Sequence, residues 1–289
     1  MTRVSQLYDR GRPVFSFEFF PPRTDKGVDA LFRTLAELAP LAPDFVSVTC
    51  PLDKPRRPLT FGLVARIKTE LGIEAVAHLV TVDYSRAEID AVLRQLRESG
   101  IENVLALRGD LLPGMAPDAP RDFQHAAELA RLAREVGFCV GGAAHPERHP
   151  ESRDWDGELR HAAAKVDAGC EFLVTQLFFD CGDYFRYVER ARRAGIRVPI
   201  VPGIMPVGSV SGIKRMAAQN RNRIPGDFLA ELDAVAADEA AVHRLGVQHA
   251  TMQCEELLAR GVPGIHFYTL NKSPATREIL TALRDKGLC

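Results

Sequence analysis

Val14-Phe15-Ser16-Phe17-Glu18-Phe19-Phe20, closed by Pro21-Pro22, is the stretch that decides the fold. Aromatic and β-branched residues bounded by prolines predict a buried strand. With a side-chain period of two, Phe15, Phe17 and Phe19 share one face, and Ser16, Glu18 and Phe20 share the other. One face is uniformly apolar, while the other carries an ionisable group near the strand's end. A carboxylate in such a strand either loses hydration or has a partner, and both outcomes perturb its pKa. An active-site role and a structural ion pair with a nearby Arg or Lys both fit that position.

Outward from this strand the same kind of run recurs. Short segments rich in Val, Ile and Phe at 13–20, 43–49, 74–81, 102–108, 138–144, 171–178, 198–204 and 263–269 predict eight strands. Between them lie helical spacings, such as Leu31/Leu35/Leu38, Ile89/Val92/Leu93/Leu96 and Ala126/Leu129/Ala130/Ala133. Gly72, Gly100, Gly137, Gly169 and Gly195 stand where helices should end before the next strand. The alternation predicts a closed α/β fold, the (β/α)8 or TIM barrel, as one catalytic domain over residues 1–289. An open doubly wound sheet competes, but no G-x-G-x-x-G follows the first strand. From Ile224 to Gly261 a mostly helical segment breaks the period and predicts extra helices, at the surface, before the last strand. Leu112 to Pro120 is the clear Pro/Gly loop.

The bulk chemistry excludes several classes. The chain has 289 residues, 46% hydrophobic and 26% charged, with a formal net charge of -1. That balance gives no reason to expect nucleic acid or an anionic membrane as partner. No signal peptide or bilayer-spanning run is present in the sequence. Six cysteines without a C-x-x-C pair argue against a disulfide framework or zinc site and for a cytoplasmic protein.

In a barrel of this kind, chemistry is built at the C-terminal ends of the strands. Polar residues collect there: Glu18, Ser47 and Thr49, His78, Arg108-Gly109-Asp110, His145 to His149, Thr175-Gln176, and Tyr268 to Lys272. Each also has a structural explanation. His78 could be a satisfied core histidine, Arg108 and Asp110 a salt bridge, and Gln176 a partner of neighbouring backbone. His145 and His149 invite a metal, but Pro146 and Pro150 prevent the helix that would align both imidazoles, so no metal is expected. Nothing beside Cys50 marks an activated thiol. Arg108, Lys165 and Lys272 are candidates to meet an anionic ligand. The residues alone indicate proton-coupled redox or carbon chemistry with a phosphate-bearing cofactor, and do not name the reaction.

Six motifs go further. Ser16 to Pro22, Phe45 to Thr49, Leu105 to Asp110, Thr175 to Asp180, Pro202 to Pro206 and His266 to Asn271, in this order along the chain, resemble bacterial methylenetetrahydrofolate reductase. The resemblance implies reduction of 5,10-methylenetetrahydrofolate to 5-methyltetrahydrofolate by NADH or NADPH through FAD, in a homo-oligomer. It implies Glu18 as the general acid, kept protonated by its apolar strand, with Asp110 near flavin and pterin. Gln176 would meet pterin and nicotinamide in turn. Thr49, His78, Arg108, Gly109, Asp110, Ala144, His145, His149 and Lys165 would contact the flavin nucleotide, and Lys272 the folate tail. Departures fall on the flavin side: Cys50-Pro51-Leu52 replaces an aromatic and Gly-Ala, and His145 replaces a tyrosine. Glu158, His161 and Ala164 stand at usual Asp, Asn and Arg positions, and Met216 at a phenylalanine position. A flavin-free reductase with direct hydride transfer, and a non-catalytic folate-binding subunit of a methyl-transfer complex, therefore remain alternatives.

Overall fold

The computed structural model describes residues 2–116 and 119–288. Pro117 and Asp118 of the expected loop, and Cys289, lie outside the described residues. All eight expected strands are present within a few residues of the expected bounds, most of them shorter: β1 Val14–Phe19, β2 Phe45–Val48, β3 Ala75–Val80, β4 Asn103–Leu107, β5 Cys139–Ala144, β6 Cys170–Thr175, a seventh in two pieces, and β9 Gly264–Tyr268. The seventh is β7 Ile200–Val201 and β8 Gly203–Ile204, split at Pro202, which has no N–H to continue a ladder. β7 pairs with β6, and β8 pairs with β9. The parallel order β7-β6-β5-β4-β3-β2-β1-β9-β8 therefore closes into a barrel across one proline.

The alternation in β1 is realised as the sequence predicts. Phe15, Phe17 and Phe19 are buried against the surrounding helices. Ser16 and Glu18 occupy the alternate positions, facing the barrel interior. Turning the strand over would take three phenylalanines out of the core, at roughly 1.5–3 kcal/mol each, so the aromatic face fixes the direction of Glu18. The lower interior is a separate apolar cluster of Val14, Phe45, Val76, Leu105, Cys139, Phe172 and Val174. Val4 and Leu7, from a short 3-10 turn at Val4–Asp9, plug it from below. Polar interior residues are thereby left to the upper end.

The connecting helices are α1 Asp25–Leu38, α2 Arg57–Leu71, α3 Arg86–Glu98, α4 Ala126–Glu135, α5 Trp155–Asp167, α6 Cys181–Arg193, α7 Val210–Asn220, α8 Gly226–Ala234, α9 Glu239–Ala259 and α10 Pro274–Asp285. The five glycines read as helix ends all take left-handed φ, which costs a side-chain-bearing residue more than glycine. The extra helices sit slightly earlier than the sequence indicates. α9, inside 224–261, packs against α6 and α10 and takes an ordinary place in the helix ring. The additions are α7 and α8, which join Leu177, Phe179, Met205 and Val207 in a second apolar cluster beside the barrel mouth.

α9 reaches its place through Gly246, where an added Cβ would lie 2.1 Å from the Val207 carbonyl oxygen. Gly246→Ala should therefore lower the urea midpoint by an amount equivalent to about 1–3 kcal/mol, with an unchanged denaturant slope. An unchanged midpoint would mean that α9 does not need this close approach.

Candidate active site

The upper interior is organised around Glu18. Its Oε2 lies 3.3 Å from His266 Nε2, and His266 Nδ1 is 2.7 Å from Ser16 Oγ. This gives one hydrogen-bonded row, Ser16–His266–Glu18, running from β1 to β9 and back. His78 Nε2 approaches the same Oε2 at 3.4 Å but outside hydrogen-bond alignment, and it has no hydrogen-bond partner. Burial pushes the His78 imidazole from 6.5 down to about 4; Glu18 opposes this shift and His266 adds to it. Ser47, the register partner of Glu18 on β2, also carries a buried hydroxyl without a partner. The anticipated Arg or Lys partner is thus replaced by two imidazoles. The surroundings of Glu18 are polar on this side rather than an apolar strand alone.

Two cavities open above this row. The smaller, about 150 Å³, is lined by Glu18, Phe20, Met205, Met216, Tyr268 and Leu270 among others. The larger, about 520 Å³, runs past Asp110, His145, Glu147, His149 and Glu151 to Gln219 and Asn222. Gln176 and Asn220 line both. Asn271 fixes the rim: its side-chain amide exchanges hydrogen bonds of 2.9 and 2.8 Å with the backbone N–H and C=O of Phe20. Leu270 and Asn271 both adopt left-handed φ to allow this.

On the other side, Arg108 meets Glu151 through two 2.7 Å bonds and donates from Nε to the Gly109 carbonyl. The expected Arg108–Asp110 bridge is not made; Asp110 stays exposed at the larger cavity. Gly109 has φ +85° and packs so closely on Val80 that a Cβ would lie 3.2 Å from that side chain. The histidine loop is tied to buried Glu158, which accepts from the His149 N–H (2.9 Å) and Ser152 Oγ (2.6 Å) and touches His145 Nδ1 at 3.3 Å. Burial opposes the Glu158 charge, but His145 and these hydrogen bonds outweigh it and hold the carboxyl at about 2. The His145 and His149 rings meet edge to face at 4.9 Å. No group of three metal-ligating side chains occurs among the described residues.

Several sequence candidates fall outside both cavities. Ala144 is fully buried in the core, and its carbonyl is used in the pairing with β6, accepting the Gln176 backbone N–H at 2.7 Å. Lys165 is buried on the inner face of α5, donates to the Ala143 carbonyl, and is pushed below its ordinary pKa by burial. Lys272 is exposed beyond Asn271. Thr49 hydrogen-bonds through its backbone, its carbonyl accepting from Thr60. The Cys50-Pro51-Leu52 turn is held by Arg57, a fully buried guanidinium that donates to the Pro51 and Leu52 carbonyls and pairs with Asp83 at 2.5 Å. Burial raises the Cys50 thiol to about 11, so it is not an activated nucleophile.

One whole wall of the site carries no residue singled out from the sequence. Four consecutive residues at the end of α7 each tie to a different group on the rim. Asn220 Oδ1 accepts from Gln176 at 3.1 Å, and Arg221 donates to the Pro150 carbonyl at 2.9 Å. Asn222 donates to Glu147 at 2.8 Å, and Arg223 pairs with Asp180 at 2.5 Å. An Asn-Arg-Asn-Arg run after an amphipathic helix, opposite Glu147 and Asp180 on neighbouring loops, was the available signal. Ser16 and His266 were missed as well, although both share the interior period of Glu18.

The family model for methylenetetrahydrofolate reductase matches residues 3–284. Over 297 residues the chain is 34% identical to methylenetetrahydrofolate reductase (NADH) 1 of Arabidopsis thaliana, covering 97% of this chain and 50% of that one. Over 276 residues it is 37% identical to the 5,10-methylenetetrahydrofolate reductase of Pectobacterium carotovorum, covering 95% and 91%. The chain spans about half the length of the plant, yeast and nematode relatives it matches. A solved Clostridium thermocellum protein, described as binding two copies of 5-methyl-5,6,7,8-tetrahydrofolic acid, shares the fold with a TM-score of 0.65 at 15% identity, over 99% of both chains.

Because the fold depresses the His78 pKa, it favours the neutral imidazole. That contribution is complete above the unfolded value of 6.5 and is lost as pH falls toward about 4. Between pH 7 and pH 4.5 the wild type should lose about 2 kcal/mol more unfolding free energy than His78→Gln, by urea titration. Equal losses would show that His78 is not held neutral.

Proposed function

The chain belongs to the methylenetetrahydrofolate reductase family, and we propose that it reduces 5,10-methylenetetrahydrofolate to 5-methyltetrahydrofolate, with NADH or NADPH as hydride donor and FAD as the relay. The observation that carries this proposal is the Glu18 carboxyl at the base of the smaller cavity, backed by the Ser16–His266 row.

The residues present are compatible with a flavin dinucleotide. The larger cavity is within the range of cofactor pockets. Gly109 offers backbone without a side chain, and the unpartnered His78 nitrogen and Thr81 hydroxyl offer buried polar atoms. Arg108 already binds a bidentate carboxylate, the geometry in which guanidinium also takes phosphate. Arg108, Gly109, His145 and His149 would hold the group, whereas Lys165 and the Ala144 methyl point elsewhere. Bound there, FAD would carry hydride between the nicotinamide and the folate.

The chain's own chemistry is proton delivery and orientation. The bridging methylene of the folate must open to an iminium before it can accept hydride, and opening requires a proton on a folate nitrogen. Glu18 gives up that proton at its carboxyl oxygen, His266 with Ser16 holds the carboxylate that is left, and the cavity that Glu18 lines gives it access to solvent for reprotonation. Phe20, Leu270 and Met216 cover the cavity with apolar surface and exclude water from the reacting nitrogen. Asp110 and Gln176 offer an acceptor and an amide to the pterin, and Gln176 serves the nicotinamide when that substrate takes its turn. Lys272, exposed beyond the rim, is the cation available to a folate glutamate tail. The same proposal places the protein in the cytoplasm as a homo-oligomeric single-domain catalyst. Cys50, Cys139, Cys170 and Cys181 are free thiols, and no helix among the described residues is long and apolar enough to cross a membrane.

The purified protein should show a visible flavin band that bleaches with NADH or NADPH and returns with methylenetetrahydrofolate. A colourless protein that still oxidises the nicotinamide with that folate would overturn the flavin relay. Glu18→Gln should keep nicotinamide oxidation with an artificial acceptor while losing folate reduction by about 100- to 10,000-fold. Near wild-type folate reduction would remove Glu18 from the acid role.

A further inference from the structure

Gln176 stands where the two cavities meet, and an amide there can present either its oxygen or its nitrogen to a ligand. In this protein the choice is made by Asn220. Asn220 Nδ2 donates to the Met216 carbonyl one helical turn back, at 3.0 Å. Asn220 Oδ1 accepts from Gln176 Nε2 at 3.1 Å, and Gln176 Oε1 accepts from the Leu177 N–H at 2.9 Å. The row is anchored by backbone at both ends. Met216 contributes an oxygen that can only accept, and Leu177 an N–H that can only donate. Flipping either amide would set donor against donor or acceptor against acceptor, so backbone chemistry settles the orientation that side-chain amides usually leave open.

We propose that Asn220 is a positioning residue that fixes the polarity of the Gln176 amide, so that the junction of the two cavities reads the cis-amide edge of a planar ring in one orientation. The Gln176 amide keeps one N–H and one oxygen lone pair beyond those used in the row. Together they form a donor–acceptor pair of set direction. The ligand class is a heterocycle carrying a lactam or carboxamide, whose own N–H and C=O lie side by side. This rests on the reductase proposal, in which both substrates carry such a group: the pterin lactam and the nicotinamide carboxamide. One oriented amide then serves two ligands that bind alternately, without the side chain having to turn over between half-reactions. Asn220 touches neither reacting atom in this account. Its effect reaches the ligand through Gln176.

The test uses Asn220→Leu, which keeps bulk but no hydrogen bond, and Asn220→Thr. A threonine hydroxyl on a helix can donate to the carbonyl four residues back while still accepting from Gln176, so it preserves the polarity of the row. The Gln176 side-chain amide protons, followed by NMR, should exchange with solvent slowly in the wild type and in Asn220→Thr, and quickly in Asn220→Leu. With methylenetetrahydrofolate and with the nicotinamide donor, Asn220→Leu should raise KM about tenfold for both substrates with little change in kcat, and Asn220→Thr should restore it. In a Gln176→Ala background, Asn220→Leu should add almost nothing. A purely structural role would instead lower the thermal midpoint and kcat together and give additive effects. Unchanged amide exchange in Asn220→Leu, unchanged KM, or additivity with Gln176→Ala would each overturn the proposal. A wild type without any reductase turnover would refute the proposed activity, while the exchange measurement would still decide whether Asn220 fixes Gln176.

Discussion

Everything in this site depends on the two-residue alternation of β1 being enforced by its aromatic face. Phe15, Phe17 and Phe19 bind the strand to the helix layer, and their burial outweighs any preference of a carboxylate for water. Glu18 is therefore turned inward whether or not the interior welcomes it. The neighbouring strands then supply what an inward carboxylate needs. Parallel register sets Tyr268 of β9 and Ser47 of β2 directly beside it, His266 two residues earlier on β9, and His78 two residues beyond the β3 partner of Ser47. An apolar constraint on one face has produced a polar chemistry on the other.

The barrel itself was legible because its signals are local. Each strand announces itself within about seven residues, and five helix ends carry a glycine, so eight units can be read without knowing any long-range contact. The location of the site was legible for the same reason. Once strand ends are placed, the fold puts them on one rim, and Glu18, Asp110, His145, His149 and Gln176 all meet the cavities there.

What was not legible is partnership across the chain. Ser16 and His266 are 250 positions apart, and only register brings their atoms to 2.7 Å. Arg108 carried a plausible partner two residues away in Asp110, yet the closed barrel gave it Glu151 on the next loop. Lys165, a candidate to meet an anionic ligand, lines neither cavity. Its helix presents that position to the barrel, where the Ala143 carbonyl takes its ammonium. Similarity to a family carried Lys165 and Ala144 into the list of contacts by position alone, and position does not fix where a side chain points. The Asn220 to Arg223 wall lay in a segment without periodicity, where each residue earns its place through a different distant loop.

The split seventh strand has a mechanical consequence. Around most of the barrel, continuous backbone ladders hold neighbouring strands, and these resist shear. Between β6 and β8, past Pro202, the ladder is replaced by side-chain stitches: Thr175 Oγ1 accepts the Gly203 N–H, and Tyr268 donates its hydroxyl to the Thr175 carbonyl. Such bonds can lengthen one at a time, so this sector is the compliant side of an otherwise stiff cylinder. Glu18 and His78 are held by ladders on the stiff side. Tyr268, Gln176 and Met205 line the cavity on the compliant side. The molecule thus keeps Glu18 stationary and leaves the elasticity to the opposite wall of the cavity.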